Sequence, residues 1–371
     1  MQERKKWLGW GRTWALVGCV LSAAGWAQAQ SDSVLTDTPA AGDTPTQTAP
    51  ANGYYSNSVA AMAFADKLAA QYDLPPDAVR NIVAQARFSA AAQRLMRPAH
   101  SSFFKNWRTY RSRFVEPIRI RAGLQFWRNN RDALERAEQQ YGVPQEVVLG
   151  ILGVETLYGR DMGSFRVLDV LATLAFDFPK TATRDRSAFF QAELASFLRQ
   201  YLQAGRDPLQ VKGSYAGAMG MGQFMPSSMQ NFAVDFDGDG VIDLNSPTDA
   251  IGSVAHYFQA YGWKRGQQAI FDVQLAPDAQ LEKLLAPDIL PSFSVKQMQA
   301  LGAQLPPSAQ DFKTALALIE LFNGDPSLEG NAKTYYAGGD NFYAITRYNQ
   351  SSYYAMAVLD LGAAIRERAG F

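Results

Sequence analysis

A glutamate embedded in an apolar stretch is the first residue in this sequence with the makings of an acid catalyst. Residues 150–159 read GILGVETLYG, and Glu155 follows Leu152, Ile151 and Val148 by three, four and seven positions. A helix opened by Pro144 therefore carries Glu155 on the same face as those three side chains. A carboxyl group in such surroundings loses solvation, its pKa rises, and it can hold a proton near neutral pH and deliver it. Lysozyme uses this device on a glycosidic oxygen. The alternative is a glutamate near a helix end that is solvated or paired with Arg160, which is the ordinary state of such a residue. Tyr158 follows at i+3, and Gly159 is expected to end the helix.

Two further segments carry chemistry. Residues 213–228, GSYAGAMGMGQFMPSS, place glycines at 213, 217, 220 and 222. Backbone without side chains can approach a sugar closely, and Gln223 can hydrogen-bond hydroxyl or acetamido groups. The Lys-Ser/Thr pair of a phosphate-binding loop is missing. Downstream, Asp235, Asp237 and Asp239, then Gly240 and Val241, follow the opening of an EF-hand loop, with oxygen donors at positions one, three and five, glycine at six and a main-chain carbonyl at seven. Position twelve is Ser246, not glutamate, and Asp249 is the carboxylate available to close the set. Three clustered carboxylates repel one another without a cation, which favours a structural Ca²⁺ over a solvated acidic turn. His100 and His256 are the only histidines and lie far apart in sequence, a poor basis for zinc. No organic cofactor motif is present.

The elements that must position these residues are mainly helical. Helices are expected over 58–72, from Pro76 to about Phe88, over 131–141 with Gly142 as the stop, from Pro144, across most of 171–202, and over 248–261 and 351–366. Within 264–346 the pattern changes: Phe271, Val273 and Leu275 alternate with polar residues, and 314–321 is strand-like. The fold class is α+β, predominantly α-helical. The implied organisation is a leader at 1–29, a Thr/Pro/Ala-rich linker at 30–57, a helical region at 58–140, a core at 141–263, a small α/β subdomain at 264–346 and a closing helix at 347–371.

The chain has 371 residues, is 47% hydrophobic and 19% charged, and has zero formal net charge. Arg4, Lys5, Lys6 and Arg12 against Glu3 make the first 29 residues basic by three, so the remainder is acidic by three. That balance excludes an electrostatic footprint for nucleic acid. The basic start, the apolar stretch 14–26 and Ala27-Gln28-Ala29 read as an export signal and imply a periplasmic protein; the apolar stretch is short for a membrane anchor. Cys19, the only cysteine, follows Leu16-Val17-Gly18 in a lipidation-like pattern, although 20–26 stays apolar, and outer-membrane association would follow only from lipidation there. Cleavage after Ala29 leaves no cysteine, hence no disulfide and no thiol chemistry.

Taken together, GILGVETLYG, VLDVLATLAFDFP (167–179), the run from Gly213 to Leu244, DAIGSVAHYF (249–258) and RYNQSSYYAMAV (347–358) resemble, in order, the lytic murein transglycosylase B family. The resemblance implies a lysozyme-like core with an added helical region. It also implies cleavage of the β-1,4 bond between N-acetylmuramic acid and N-acetylglucosamine, with a 1,6-anhydromuramyl product and peptidoglycan strands as the partner. A monomer is the default for an enzyme acting on a polymer. Glu155 matches the acid/base; Ser214 and Asn349 match residues that orient the acid or the N-acetyl group. Gln223, Tyr257, Tyr348, Tyr354 and Tyr110 match the saccharide groove. The distorted calcium loop also occurs in that family. In place of the family's Arg-Arg pair after the LAFDFP-like segment stand Lys180, Arg184, Asp185 and Arg186. An ordinary glycosidase needs two carboxylates; Asp161 and Asp169 are nearest in sequence, and no motif singles out either. A hydrolytic muramidase using the same glutamate, or a peptidoglycan-binding protein without activity, are the other readings.

Overall fold

The computed structural model describes residues 53–97, 105–182, 184–325 and 327–370. The leader, most of the linker, Cys19 and His100 lie outside them. Helices run α1 Val59–Tyr72, α2 Pro76–Ala84, α3 Ala90–Leu95, α4 Trp107–Phe114, α5 Pro117–Asn129, α6 Arg131–Tyr141, α7 Gln145–Thr156, α8 Val167–Phe176, α9 Ser187–Gln203, α10 Pro226–Phe232, α11 Pro247–Ala260, α12 Leu281–Leu285, α13 Val295–Ala300, α14 Asp340–Tyr348 and α15 Ser352–Ala369. A small antiparallel pair, β1 Phe165–Arg166 and β2 Lys212–Gly213, is separate from a four-stranded antiparallel sheet ordered β4-β3-β6-β5, with β3 Ile270–Leu275, β4 Ala303–Gln304, β5 Ala317–Leu321 and β6 Thr334–Gly338. Many ends follow local chemistry. The Ser58, Ser89 and Asn106 side chains accept from the first-turn N–H groups of α1, α3 and α4, and Gly142 closes α6 at φ 74°. No described helix is long and apolar enough to cross a membrane.

Among the described residues three large hydrophobic cores form, beside a small cluster of Tyr215 and Ala216. The first joins α4–α7, α11, α14 and α15 around Ile151, Leu152, Phe258, Ile345, Tyr354 and Val358. The second joins α1–α3 to α8 and α9 around Leu68, Val79, Leu171 and Phe197. The third lies under the four-stranded sheet, with Phe271, Leu284, Met298 and Leu318. Residues 58–140 thus divide between two cores: α1–α3 belong to the second, α4–α6 to the first.

The structure corrects the expected elements at several points. Order begins before position 58: Tyr54 bridges to Arg87, and Tyr55 is buried with its hydroxyl donating to Asp177 at 2.6 Å. α2 stops at Ala84, which frees Arg87 for that bridge. The mostly helical stretch 171–202 is built of two helices, with a break over 177–186. α7 is apolar on every side, with every residue from Val147 to Thr156 buried; a helix apolar all round belongs inside the molecule. Its closest neighbour is α15, and glycines set the spacing. A Cβ at Gly150 would sit 2.3 Å from the Val358 carbonyl oxygen, and one at Gly362 2.2 Å from that of Glu146.

Candidate active site

The end of α7 determines where Glu155 points. The helix stops at Thr156, not at Gly159, and Leu157, Tyr158 and Gly159 then take left-handed φ values of 50°, 58° and 85°. Two of these are not glycine, at a cost on the order of 1 kcal/mol each. Neighbours hold the turn. The Thr156 hydroxyl donates to the Met221 carbonyl at 2.8 Å and accepts from Gly159 N–H at 3.0 Å, which binds the helix end to the glycine-rich loop. Below it, the buried Arg119 guanidinium donates to the Gly153 and Arg113 carbonyls at 2.9 and 2.6 Å.

Glu155 is 2% exposed. Its Oε1 accepts from the Tyr354 hydroxyl at 2.5 Å, and its Oε2, also buried, has no partner among the described residues. Burial pushes the carboxyl up to about 8, opposed by the Tyr354 hydrogen bond, which favours the ionised form. Burial, then the adjacent Glu155 charge, raises the Tyr354 phenol well above its ordinary value, so it stays a neutral donor. The same two causes act on Tyr348 and Tyr110. Arg160 does not pair with Glu155.

Glu155 lines an open cleft of about 370 Å³. The turn 160–165 forms one wall; Ser214, Tyr215 and Gln223 form the other. The walls meet where a Cβ on Gly163 would lie 2.2 Å from the Gly213 carbonyl oxygen. The Ser214 oxygen accepts from Ala216 and Ala218 N–H at 3.3 and 3.0 Å, which leaves its own proton to donate. Gln223 sits at φ 53°, and its amide nitrogen donates to the Gly220 and Met162 carbonyls at 3.0 and 3.3 Å. The amide oxygen remains as an acceptor.

Not every expected residue faces this cleft. Tyr257 and Tyr348 are buried behind it, their hydroxyls donating to the Arg347 and Gly222 carbonyls; with those hydroxyls engaged, both are packing residues that brace the wall. Tyr354 also lies behind the wall, on Glu155 itself. Asn349 caps the end of α14, 8% exposed. Tyr110 is half-buried against Trp107, Phe114 and Tyr353. Asp161 lines the cleft, whereas Asp169 is engaged by Arg166 at 2.5 Å and by Arg87 N–H at 2.7 Å. Arg186 lies over the Phe189 ring, and neither it nor Arg184 lines the cleft. Sequence reasoning missed Met162, Ser164 and Phe165 on the turn 160–165, where it had weighed only Arg160 and Asp161, and it missed Tyr215 inside the glycine-rich motif opposite.

In the acidic loop, carboxylate oxygens of Asp235, Asp237 and Asp239 all lie within 4.8 Å of one another. Hard oxygen donors at that spacing fit Ca²⁺. Asp249 is not part of the cluster, contrary to expectation. It is 1% exposed beneath the loop, one oxygen accepting from Phe236 and Asp237 N–H and the other from Asp243 N–H. It shapes the loop from inside. The Val241 side chain is exposed, and its N–H donates to Asp239 at 2.7 Å.

The family model described as the transglycosylase SLT domain matches residues 56–363. The membrane-bound lytic murein transglycosylase B of Escherichia coli (strain K12) is 40% identical over 323 residues, 84% of each chain. The E. coli lytic transglycosylase Slt35 in complex with calcium is 39% identical at a TM-score of 0.74, covering 86% of this chain and 96% of that one. Pseudomonas aeruginosa SltB3 in complex with NAG-NAM-pentapeptide is 29% identical at a TM-score of 0.70, covering 82% of this chain and 78% of that one.

Proposed function

The chain belongs to the transglycosylase SLT domain family, and we propose that it is a lytic murein transglycosylase in which Glu155 alone serves as acid and base. The observation that carries the reading is the divided environment of that carboxyl: one oxygen held by Tyr354, the other unpartnered, on a side chain lining the cleft. Burial keeps the group protonated, and the proton resides on the oxygen free to release it. Glu155 protonates the oxygen between N-acetylmuramic acid and N-acetylglucosamine, and the C1–O bond breaks. The substrate's acetamido oxygen supports the positive charge at C1. Glu155, now a carboxylate, removes the proton from the muramyl C6 hydroxyl; the O6–C1 bond forms, and the 1,6-anhydromuramyl end departs as Glu155 regains its proton. The C6 hydroxyl is already in place, so ring closure draws on proximity. Ser214 and Gln223 offer a donor and an acceptor to sugar substituents. Asn349 and Tyr110 complete the groove, with Tyr257 and Tyr348 bracing it.

Asp235, Asp237, Asp239 and the Val241 carbonyl would hold a structural Ca²⁺, which neutralises the loop and does no chemistry. The leader at 1–29 would deliver the enzyme to the periplasm as a monomer, with lipidation of Cys19 the route to outer-membrane attachment. Glu155→Gln keeps the shape of the side chain and removes the acid. Cleavage of purified peptidoglycan should fall at least about a thousandfold with binding retained; near-normal cleavage would exclude Glu155 as the acid.

A further inference from the structure

The tyrosines around Glu155 differ in what their hydroxyls do. Those of Tyr257, Tyr348 and Tyr354 donate to protein oxygens. Tyr215, on the cleft wall next to Ser214, does not. The residue is 4% exposed, yet its hydroxyl has no hydrogen-bond partner among the described residues and is not sealed from solvent. Burial alone pushes the phenol up to about 12, with no hydrogen bond or charge contributing, so near neutral pH it is an uncharged donor. The little surface that the residue keeps includes this hydroxyl, and the cleft is the opening it lines. The side chain is also held in place from both ends. Its backbone lies in a turn where Gly217, at φ 84°, donates its N–H to the Ser214 carbonyl at 3.0 Å. Leu95, Met96 and Phe165 pack against Tyr215 and Ala216.

A largely buried donor left without a partner disfavours the free protein, and a hydroxyl already fixed in place loses little freedom on binding. Both favour a ligand that brings an acceptor to it. With the ring covered, the hydroxyl is the part of Tyr215 that a ligand meets. Beside it the lining is apolar, since Phe165 packs against Tyr215 and lines the same cleft. A single placed donor on apolar surface is a common way to fix the orientation of a bound group. An acceptor oxygen next to a methyl group fits that pair, and on a glycan strand the acetamido group has that arrangement. In the proposed reaction the muramyl acetamido oxygen is occupied at C1, which leaves the acetamido group of the adjoining N-acetylglucosamine. We propose that Tyr215 is a specificity-determining residue that donates to the acetamido oxygen of N-acetylglucosamine, with the acetamido methyl group against Phe165, an inference that rests on the glycan-cleaving reading of Glu155. Tyr215 touches no reacting atom; it selects the acetylated strand.

The test is a binding cycle in the full chain carrying Glu155→Gln, so that glycan is not consumed, with and without Tyr215→Phe. The probes are a short peptide-free glycan of alternating N-acetylglucosamine and N-acetylmuramic acid, and the same glycan with its glucosamine residues N-deacetylated. The amine exposed by deacetylation carries charge, which acts on both proteins alike and cancels in the cycle. Tyr215→Phe should weaken binding of the acetylated glycan about fivefold and leave binding of the deacetylated glycan unchanged. With Glu155 restored, the same selective loss of about fivefold should appear in kcat/KM. The hydroxyl holds nothing within the protein, so Tyr215→Phe should unfold at no lower a temperature than its parent. An equal loss on both glycans, or no loss on either, would overturn the proposal. So would a lowered unfolding temperature, which would make the hydroxyl part of the fold. Binding without cleavage by wild type would count against the reading of Glu155 alone, while the cycle still judges Tyr215; absence of glycan binding by every protein would overturn both.

Discussion

At the residue scale, the proposed chemistry turns on one carboxyl group and one phenol brought together from positions 155 and 354. The apolar setting of Glu155 was legible, because helical spacing alone surrounds it with Val148, Ile151 and Leu152. Its partner was not: no local pattern links residues 199 apart, and a tyrosine on an apolar helix reads first as packing. Asp249 shows the converse. Its position near the loop suggested a ligand, yet its oxygens satisfy three backbone N–H groups, a requirement visible only once the loop has its shape. The acid must be protonated to act, so kcat/KM should fall as pH rises through about 8, where Glu155 ionises. The Tyr354 hydrogen bond favours the ionised form. Tyr354→Phe should therefore move that alkaline limb upward while lowering the rate about tenfold. A limb that stayed in place or moved down in pH–rate measurements would separate Tyr354 from control of the acid.

At the scale of elements, the contact of α7 with α15 places the acid over its phenol, and two glycines set the distance. Gly150→Ala would drive a methyl group into the Val358 carbonyl oxygen, 2.3 Å from the ideal Cβ position. The variant should unfold with a loss of about 3 kcal/mol, and activity should fall with it; denaturation curves superimposable on wild type would show that the two helices are not locked as described. Helix limits were legible where a proline or glycine marks them, as at Pro144 and Gly142. They were not legible at Leu157, because a left-handed leucine is imposed by the Thr156 and Arg119 contacts and not by its own preference. The sheet was half legible: β3 alternates and β5 is a short apolar run, whereas two-residue β4 and half-buried β6 acquire their identity from their partners.

At the scale of the whole molecule, the cleft lies where Glu155, at the end of a first-core helix, meets the turn 160–165 and the Ser214–Tyr215 segment. The fold class was legible from composition and periodicity, but the allotment of α1–α3 to the second core was not, since Tyr55 and Leu68 find their neighbours more than a hundred residues downstream. The acidic loop belongs to this scale because it joins the glycine-rich wall to α11. Removing divalent cations with a chelator should lower the unfolding temperature by several degrees, with recovery on adding Ca²⁺. Asp235→Asn with Asp237→Asn should abolish that response; a midpoint indifferent to calcium in the wild type would refute a structural ion. The reaction itself is tested most directly by the mass of the products released from purified peptidoglycan by residues 30–371. Intramolecular attack by the C6 hydroxyl predicts fragments ending in 1,6-anhydromuramic acid, lighter by one water than reducing ends and absent with Glu155→Gln. Reducing-end fragments would contradict the account and make the same glutamate the acid of a hydrolase.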